Sequence, residues 1–90
     1  MRTFSTDAPE FFAFKLEGSE DVKKIPLAGS MNNRELIAFE ETGRDYRKQV
    51  AWLRKYLGDD IDELSPNTTN AILLAWMEES AKTGASVGES

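Results

Sequence analysis

The sequence contains no cysteine and no histidine. Without cysteine the chain has no disulfide and no thiolate that could bind a metal or attack a substrate. Without histidine it lacks the side chain that most often serves as a general base and as a metal ligand. These absences exclude most nucleophilic and metal-dependent mechanisms, and they predict a protein that is not an enzyme and uses no cofactor.

Long apolar runs are also missing, and none approaches the ~20 residues that a helix needs to cross a bilayer. The first ten residues carry Asp7 and Glu10 and lack the apolar segment of a signal peptide. We therefore expect a cytoplasmic protein that does not insert into membranes. The formal net charge of −5 argues against general binding to nucleic acids or to anionic membranes.

The 90 residues are enough for one domain with a single modest core. Hydrophobic residues make up 40% and charged residues 30% of the chain, which is a globular composition. We expect a single domain over residues 11–83. It is predicted to lie between a flexible leader over residues 1–10 and a flexible, Gly- and Ser-rich tail over residues 84–90.

Two short strands are predicted in the first third of the chain. From residue 12 to 16 the side chains alternate between apolar and small or charged types, which is typical of a half-buried strand. A turn-rich segment, 17–21, precedes a second strand over 22–27. Pro26 has no N–H to donate, so this strand is expected at an edge. The two strands form an antiparallel hairpin that needs helices to cover its apolar face.

Three main helices are predicted after the hairpin, over residues 31–42, 46–57 and 66–82. Ser30, Asp45 and Ser65 are suited to cap their N-termini. Gly43 and Gly58 stand where the first two helices end, which is a common position for glycine. Together with the hairpin, these helices predict an α+β domain.

The second and third helices carry wide apolar stripes with four large side chains at their margins: Trp52, Tyr56, Trp76 and Met77. Tryptophan at this spacing is more often a core residue than a binding residue, so Trp52 and Trp76 are expected in the core. A core of this size is not expected to bury both stripes completely. The four marginal side chains are therefore also candidate contacts for a partner protein.

A basic segment occupies residues 44–55 of the predicted second helix. Its cations fall broadly opposite the apolar stripe and form one face: Arg44, Arg47, Lys48, Arg54 and Lys55. Three interpretations stay open. The face is solvated and paired with the acidic residues of 59–63, it docks an acidic partner helix, or it binds phosphates. The negative net charge and the lack of a second basic element weigh against nucleic acid.

Phe11 precedes Phe12, and adjacent residues of a strand point to opposite faces. An exposed Phe11 beside an edge strand is a candidate contact for a partner strand or for weak self-association. The alternative is that Phe11 folds under the leader.

The end of the third helix reads Ala75-Trp76-Met77-Glu78-Glu79-Ser80, and residues 84–90 read Gly-Ala-Ser-Val-Gly-Glu-Ser. This arrangement resembles the C-terminal signature of tail assembly chaperones from long-tailed phages and prophages of actinobacteria. These proteins show an alanine–tryptophan pair, an acidic residue, a spacer and a small-residue run ending glycine–glutamate–serine. The preceding order is also similar, with a Phe-x-Phe strand, a helix, a basic helix bearing a tryptophan, and an Asp-rich turn.

The resemblance implies a protein of the bacterial host cytoplasm that binds the long, helical tape-measure protein, keeps it soluble and helps recruit tail-tube subunits. It also implies that a translational frameshift near the end of the reading frame yields a longer product in many members. Such a role needs an apolar groove with a charged rim. Two alternatives are a small nucleic-acid-binding regulator that uses residues 44–55 and a self-assembling structural tail subunit.

Overall fold

The computed structural model describes residues 10–82. An antiparallel hairpin is followed by three α-helices, with a 3-10 helix between the last two, which confirms the predicted α+β architecture. The elements are β1 (Phe11–Lys15), β2 (Val22–Pro26), α1 (Asn33–Thr42), α2 (Tyr46–Leu57), the 3-10 helix (Gly58–Glu63) and α3 (Pro66–Lys82). Apart from Glu10, the predicted leader and the predicted tail lie outside the described residues.

The hairpin register explains how a strand accommodates proline. Phe11 is opposite Pro26, and the pairing continues without a bulge to Lys15 opposite Val22. The backbone N–H of Leu27 donates to the carbonyl of Glu10 at 2.9 Å. Because hydrogen-bonded and non-hydrogen-bonded pairs alternate in an antiparallel ladder, the adjacent Phe11–Pro26 pair is a non-hydrogen-bonded one. The missing N–H of Pro26 therefore removes no bond between β1 and β2.

The N-terminus of α1 corrects one predicted cap. Asn32, and not Ser30, caps this helix, because the Asn32 side chain accepts the backbone N–H of Glu35 at 2.9 Å. The Ser30 hydroxyl instead accepts the backbone N–H of Glu10 at 3.0 Å. Ser30 thus fastens the segment before β1 to the turn after β2, and α1 begins two residues later.

The other helix ends follow the predicted signals. The Asp45 side chain caps α2, and the Ser65 hydroxyl accepts a backbone N–H in the first turn of α3. Gly43 and Gly58 follow α1 and α2 with φ angles of 54° and 68°. Positive φ is accessible to glycine at little steric cost, which is why the helices end at these residues.

Two tryptophans occupy the centre of the core, as predicted. Trp76 is 0% exposed and Trp52 is 3% exposed. The Trp76 ring lies 4.9 Å from Phe39 and 5.2 Å from Trp52, measured between centroids. Its indole N–H donates to the carbonyl of Pro26 at 2.8 Å. Trp76 therefore joins α3 to the hairpin and to both other helices. The remaining large buried side chains are aliphatic: Ile25, Leu27, Leu53, Leu57, Ile61, Ile72 and Leu73.

A buried polar contact holds the end of α3 in place. The Ser80 hydroxyl, which is fully buried, accepts the backbone N–H of Ala28 at 3.0 Å. A buried N–H without an acceptor is costly, so this contact fixes how α3 lies against the segment after β2. Within residues 10–82, no helix is both long enough and apolar enough to span a membrane.

Candidate protein-binding clefts

The first cleft, here called the hairpin cleft, lies between one end of the hairpin, the start of α1 and the end of α2. It is open to solvent and has a volume of about 450 Å³. Its surface is largely apolar, and a carboxylate and an ammonium group stand at its edge. The residues that matter for its chemistry are Phe11, Pro26, Met31, Tyr56, Glu35 and Lys55.

Glu35 organises the polar edge of the hairpin cleft. Its Oε2 atom accepts from Lys55 Nζ at 3.1 Å and from the Tyr56 hydroxyl at 3.3 Å. Burial of the ring, reinforced by the charge of Glu35 and by this hydrogen bond, raises the pKa of Tyr56 to about 12. Tyr56 therefore stays neutral near pH 7 and donates to Glu35, while its ring contributes to the apolar surface.

The second cleft, here called the helix cleft, runs between α1 and α2 and has a volume of about 390 Å³. Ala38, Glu41 and Thr42 form its α1 wall. The α2 wall consists of Lys48, Ala51, Trp52 and Lys55. Lys55 lines both clefts, so the two adjoin at this residue.

Arg54 is bonded to carboxylates of the 3-10 helix. Its guanidinium bonds both carboxylate oxygens of Asp62, with one distance of 3.1 Å, and it also reaches Asp59 at 3.2 Å. The hydrogen bond to Asp62 is the main reason that the pKa of Arg54 is raised, and the same bond lowers the pKa of Asp62. Arg54 thus ties α2 to the 3-10 helix, which matches the interpretation that pairs the basic face with residues 59–63.

The acidic turn is also tied to the hairpin. Lys23 Nζ on β2 lies 2.7 Å from Asp60 Oδ2. Together with the Arg54 contacts, this ion pair assigns Asp59, Asp60 and Asp62 to contacts between elements.

The remaining cations of the basic face fall into two groups. Lys55 is paired with Glu35 at 3.1 Å. Arg44, Arg47 and Lys48 are exposed, and none of them forms an ion pair with another residue of the described segment 10–82. The single basic face predicted from the sequence is therefore divided by the fold, and only its N-terminal part is left without intramolecular partners in this segment.

The predicted contact residues are divided between the two clefts. Phe11, Lys55 and Tyr56 meet in the hairpin cleft, and Phe11 is 46% exposed, so it does not fold under other described residues. Lys48, Lys55 and Trp52 line the helix cleft, while Arg47 is exposed nearby on α2.

The expectation that both tryptophans lie at the margins of their stripes is wrong. Trp52 reaches the helix cleft only as a nearly buried floor, and the fully buried Trp76 offers no surface to a partner. Met77 is half-buried against the core and lines neither cleft. The core is large enough to take both indoles because α3 lies across the hairpin and the other helices.

Sequence reasoning missed nine of the fourteen residues that line the two clefts. Met31, Glu35, Ala38 and Glu41 all lie on or just before α1 and carry no motif of their own. Glu35 lies twenty positions before Lys55, so only the antiparallel packing of α1 and α2 brings the two together. The capping position of Glu35 in the first turn of α1 was the only local signal available.

Four further large hydrophobic side chains of the described residues are exposed outside both clefts: Val22, Ile37, Tyr46 and Leu74. Scattered single apolar residues are normal on protein surfaces. They provide matched positions for testing whether the clefts are special.

No protein-family model, no curated protein and no solved structure matches this chain.

Proposed function

We propose that this chain is a non-enzymatic protein-binding module of the bacterial host cytoplasm, a tail assembly chaperone of a long-tailed phage. Its client is the helical tape-measure protein, and its role is to keep that client soluble and to aid assembly of the tail tube. The observation that supports the proposal best is the pair of adjoining clefts, with apolar surfaces and charged edges. An amphipathic helix is the peptide that such a depression accommodates.

The hairpin cleft supplies the apolar part of this surface. Phe11 of β1, Met31 in the segment before α1, and Tyr56 of α2 leave part of their apolar area in water. Covering that area contributes roughly 25 cal/mol per Å², reduced by the entropy lost on association. A shallow surface of this kind suits a long client that presents similar helical segments repeatedly, because it needs no single deep contact.

The polar groups of the hairpin cleft support binding rather than catalysis. Glu35 accepts hydrogen bonds from both Lys55 and Tyr56, and the raised pKa of Tyr56 keeps its phenol protonated, so the phenol is a poor general base near pH 7. The sequence also supplies no cysteine and no histidine. The signature-like residues 75–80 belong to α3, whereas residues 84–90 lie outside the described segment.

The proposal is tested by co-expressing the chain with a tape-measure protein of a long-tailed actinobacterial phage and passing the soluble fraction over a size-exclusion column. We expect the two proteins to co-elute, and we expect the client alone to be insoluble. Phe11→Ser is expected to reduce co-elution at least several-fold, because it removes the largest exposed apolar side chain of the hairpin cleft. Val22→Ser is the matched control, since Val22 is similarly exposed at the opposite end of the hairpin. A client that stays insoluble while the wild-type chain elutes alone contradicts the chaperone role.

A nucleic-acid-binding regulator is the second candidate, and the exposed Arg44, Arg47 and Lys48 favour it. Retention on heparin with a steep dependence on salt would support it. A self-assembling tail subunit would instead show concentration-dependent light scattering.

A further inference from the structure

We propose that the helix cleft selects an acidic amphipathic helix. In this arrangement, client carboxylates lie against Lys48 of α2, and a seam of small or apolar client side chains packs on Ala38 and Ala51. Lys55, which is already paired with Glu35, adds positive charge at the other end of the same wall. The inference rests on the proposed protein-binding function and adds the chemistry of the segment that is bound.

The two walls of the helix cleft carry opposite charges. Lys48 and Lys55 stand on the α2 wall, and Glu41 stands on the α1 wall. Lys48 is exposed and forms no ion pair with any residue between positions 10 and 82. A helix with carboxylates along one flank and neutral or basic side chains along the other complements both walls.

The position of the unpaired cations within α2 is a second, independent observation. Arg47 and Lys48 lie in the first turn of the helix, which contains no acidic residue. Cations are disfavoured there, because the helix dipole places partial positive charge at the N-terminus. Asp45 offsets them only in part, since its single negative charge faces two cations as well as the N-terminus of the helix, which it caps. Residues that break a local rule without a compensating contact are expected at functional sites.

The shape of the helix cleft favours a helix over a nucleic acid. The small side chains Ala38 and Ala51 leave room for a second helix to approach closely. The aromatic residue of the cleft, Trp52, is nearly buried and presents no ring face for base stacking. Glu41 would repel a phosphate backbone lying along the cleft. Since α2 has 12 residues, a client helix of about 18 Å, or roughly three turns, matches its length.

The first measurement uses two synthetic helical peptides of roughly 18 residues, about five turns, so that the three turns that match α2 are flanked by a further turn at each end. Both carry the same Ala and Leu seam, and one flank is glutamate in the first peptide and lysine in the second. Each is titrated into the full chain, and binding is followed by fluorescence anisotropy. We expect the glutamate peptide to bind at least ~10-fold more tightly, although the net charge of −5 favours the lysine peptide.

The second measurement repeats the titration with Lys48→Glu and with Arg34→Glu as the matched control. Arg34 is an exposed cation near the start of α1, lines neither cleft, and changes the net charge by the same amount. Lys48→Glu is expected to weaken the glutamate peptide at least ~10-fold and Arg34→Glu less than ~2-fold, as expected for a contacting and a distant charge. The melting temperature of Lys48→Glu should not fall, because an acid in the first turn is favoured by the dipole. Lys48→Gln, which only removes the charge, should give an intermediate loss.

Equal binding of the two peptides, or equal losses in Lys48→Glu and Arg34→Glu, overturns the inference. The inference is also overturned if the chain binds neither peptide but binds a short DNA duplex, and if Lys48→Glu abolishes that DNA binding. This result would assign the cations to nucleic acid. If Lys48→Glu co-elutes with the tape-measure protein as well as the wild type does, the inference fails and the chaperone role stands. If the glutamate peptide binds selectively and the tape-measure protein never co-elutes, the chaperone role fails and the inference stands.

Discussion

Tyr56 shows how one side chain in the hairpin cleft combines an apolar ring with a fixed polar end. Its hydroxyl donates to Glu35, which also accepts from Lys55. Ionisation of the phenol would place a second negative charge beside the Glu35 carboxylate. The pKa of Tyr56 is accordingly raised from 10.0 to about 12, with burial as the largest cause.

This shift predicts a loss of stability in alkali. Because the folded pKa is raised, the stabilisation is fully present below pH 10 and is lost as the pH rises towards about 12. The chain has two tyrosines, Tyr46 and Tyr56. In Tyr46→Phe the tyrosinate absorbance therefore reports Tyr56 alone. We expect that absorbance to rise near pH 12. Between pH 9 and 12 the free energy of unfolding, measured with denaturant, should fall less in Tyr56→Phe than in the wild type. An identical fall with pH in both proteins would contradict the assignment.

At this scale the sequence was a good guide to residue type but a poor guide to partners. The spacing of Trp52 and Trp76 placed both in the core, although their complete burial required the crossing of α3 over the hairpin. Arg54 was grouped with the other cations of α2, and pairing with residues 59–63 was only one of three open interpretations. The fold of the 3-10 helix decides for Arg54 by placing Asp59 and Asp62 beside it.

Helix ends are the features of single elements that local chemistry determines most directly. Gly58 closes α2 with φ 68° and ψ −153°, a backbone conformation that residues with a Cβ rarely adopt. A Cβ at this position would meet no atom within 4 Å, so its effect on stability isolates the backbone strain.

Gly58→Ala is therefore expected to lower the free energy of unfolding by about 1–3 kcal/mol, measured by chemical denaturation. Gly29→Ala is the matched control, because Gly29 is exposed and does not have a positive φ angle. That control should be neutral or slightly stabilising, since it reduces the entropy of the unfolded chain. Equal destabilisation by both substitutions would show that the φ angle of Gly58 is not the cause.

Element boundaries could be predicted where one signal stood alone. Asp45, Gly43 and Gly58 each had no competitor nearby, and each acts as expected. Ser30 and Asn32 are both good N-caps and lie two residues apart, so propensity alone could not choose between them. The choice is made by the backbone N–H of Glu10, which engages the Ser30 hydroxyl from another part of the fold.

At the scale of the whole molecule, Trp76 is the residue that joins α3 to the hairpin and to the other two helices. Its ring packs on Phe39 and Trp52, and its N–H bonds the carbonyl of Pro26 at the end of β2. Removing it leaves a cavity where the hairpin and all three helices meet.

Trp76→Ala is expected to reduce the free energy of unfolding by about 3–5 kcal/mol. Because a small domain has only ~5–15 kcal/mol in total, we expect partial unfolding at room temperature. The helical circular dichroism signal and the native fluorescence emission of Trp52 should be lost together. Trp76→Phe leaves the Pro26 carbonyl without its donor but keeps most of the buried volume. It should therefore destabilise the protein less than Trp76→Ala does. Loss of α3 alone, with Trp52 still in its native environment, would contradict this central role.

The clefts could not be predicted from the sequence, because each depends on how elements pack against one another. The hairpin cleft joins segments that are distant along the chain, and the helix cleft lies between the consecutive helices α1 and α2. The hairpin cleft combines Phe11, Met31 and Tyr56. Apolar periodicity identifies which face of an element is buried, but it does not say where two buried faces leave a gap between them. The opposite charges on the walls of the helix cleft arise in the same way, from the packing of α1 against α2.

The position of Pro26 also limits how this sheet could grow between molecules. Residues in non-hydrogen-bonded pairs direct their backbone groups away from the partner strand, so Pro26 leaves the outer edge of β2 without a donor at that point. The outer edge of β1 has no such gap. Two copies that joined along β1 would each present β2 as the outermost strand, and further addition would meet the proline on both sides. Any association of two hairpins along β1 would therefore stop at a pair and would not extend into a fibre.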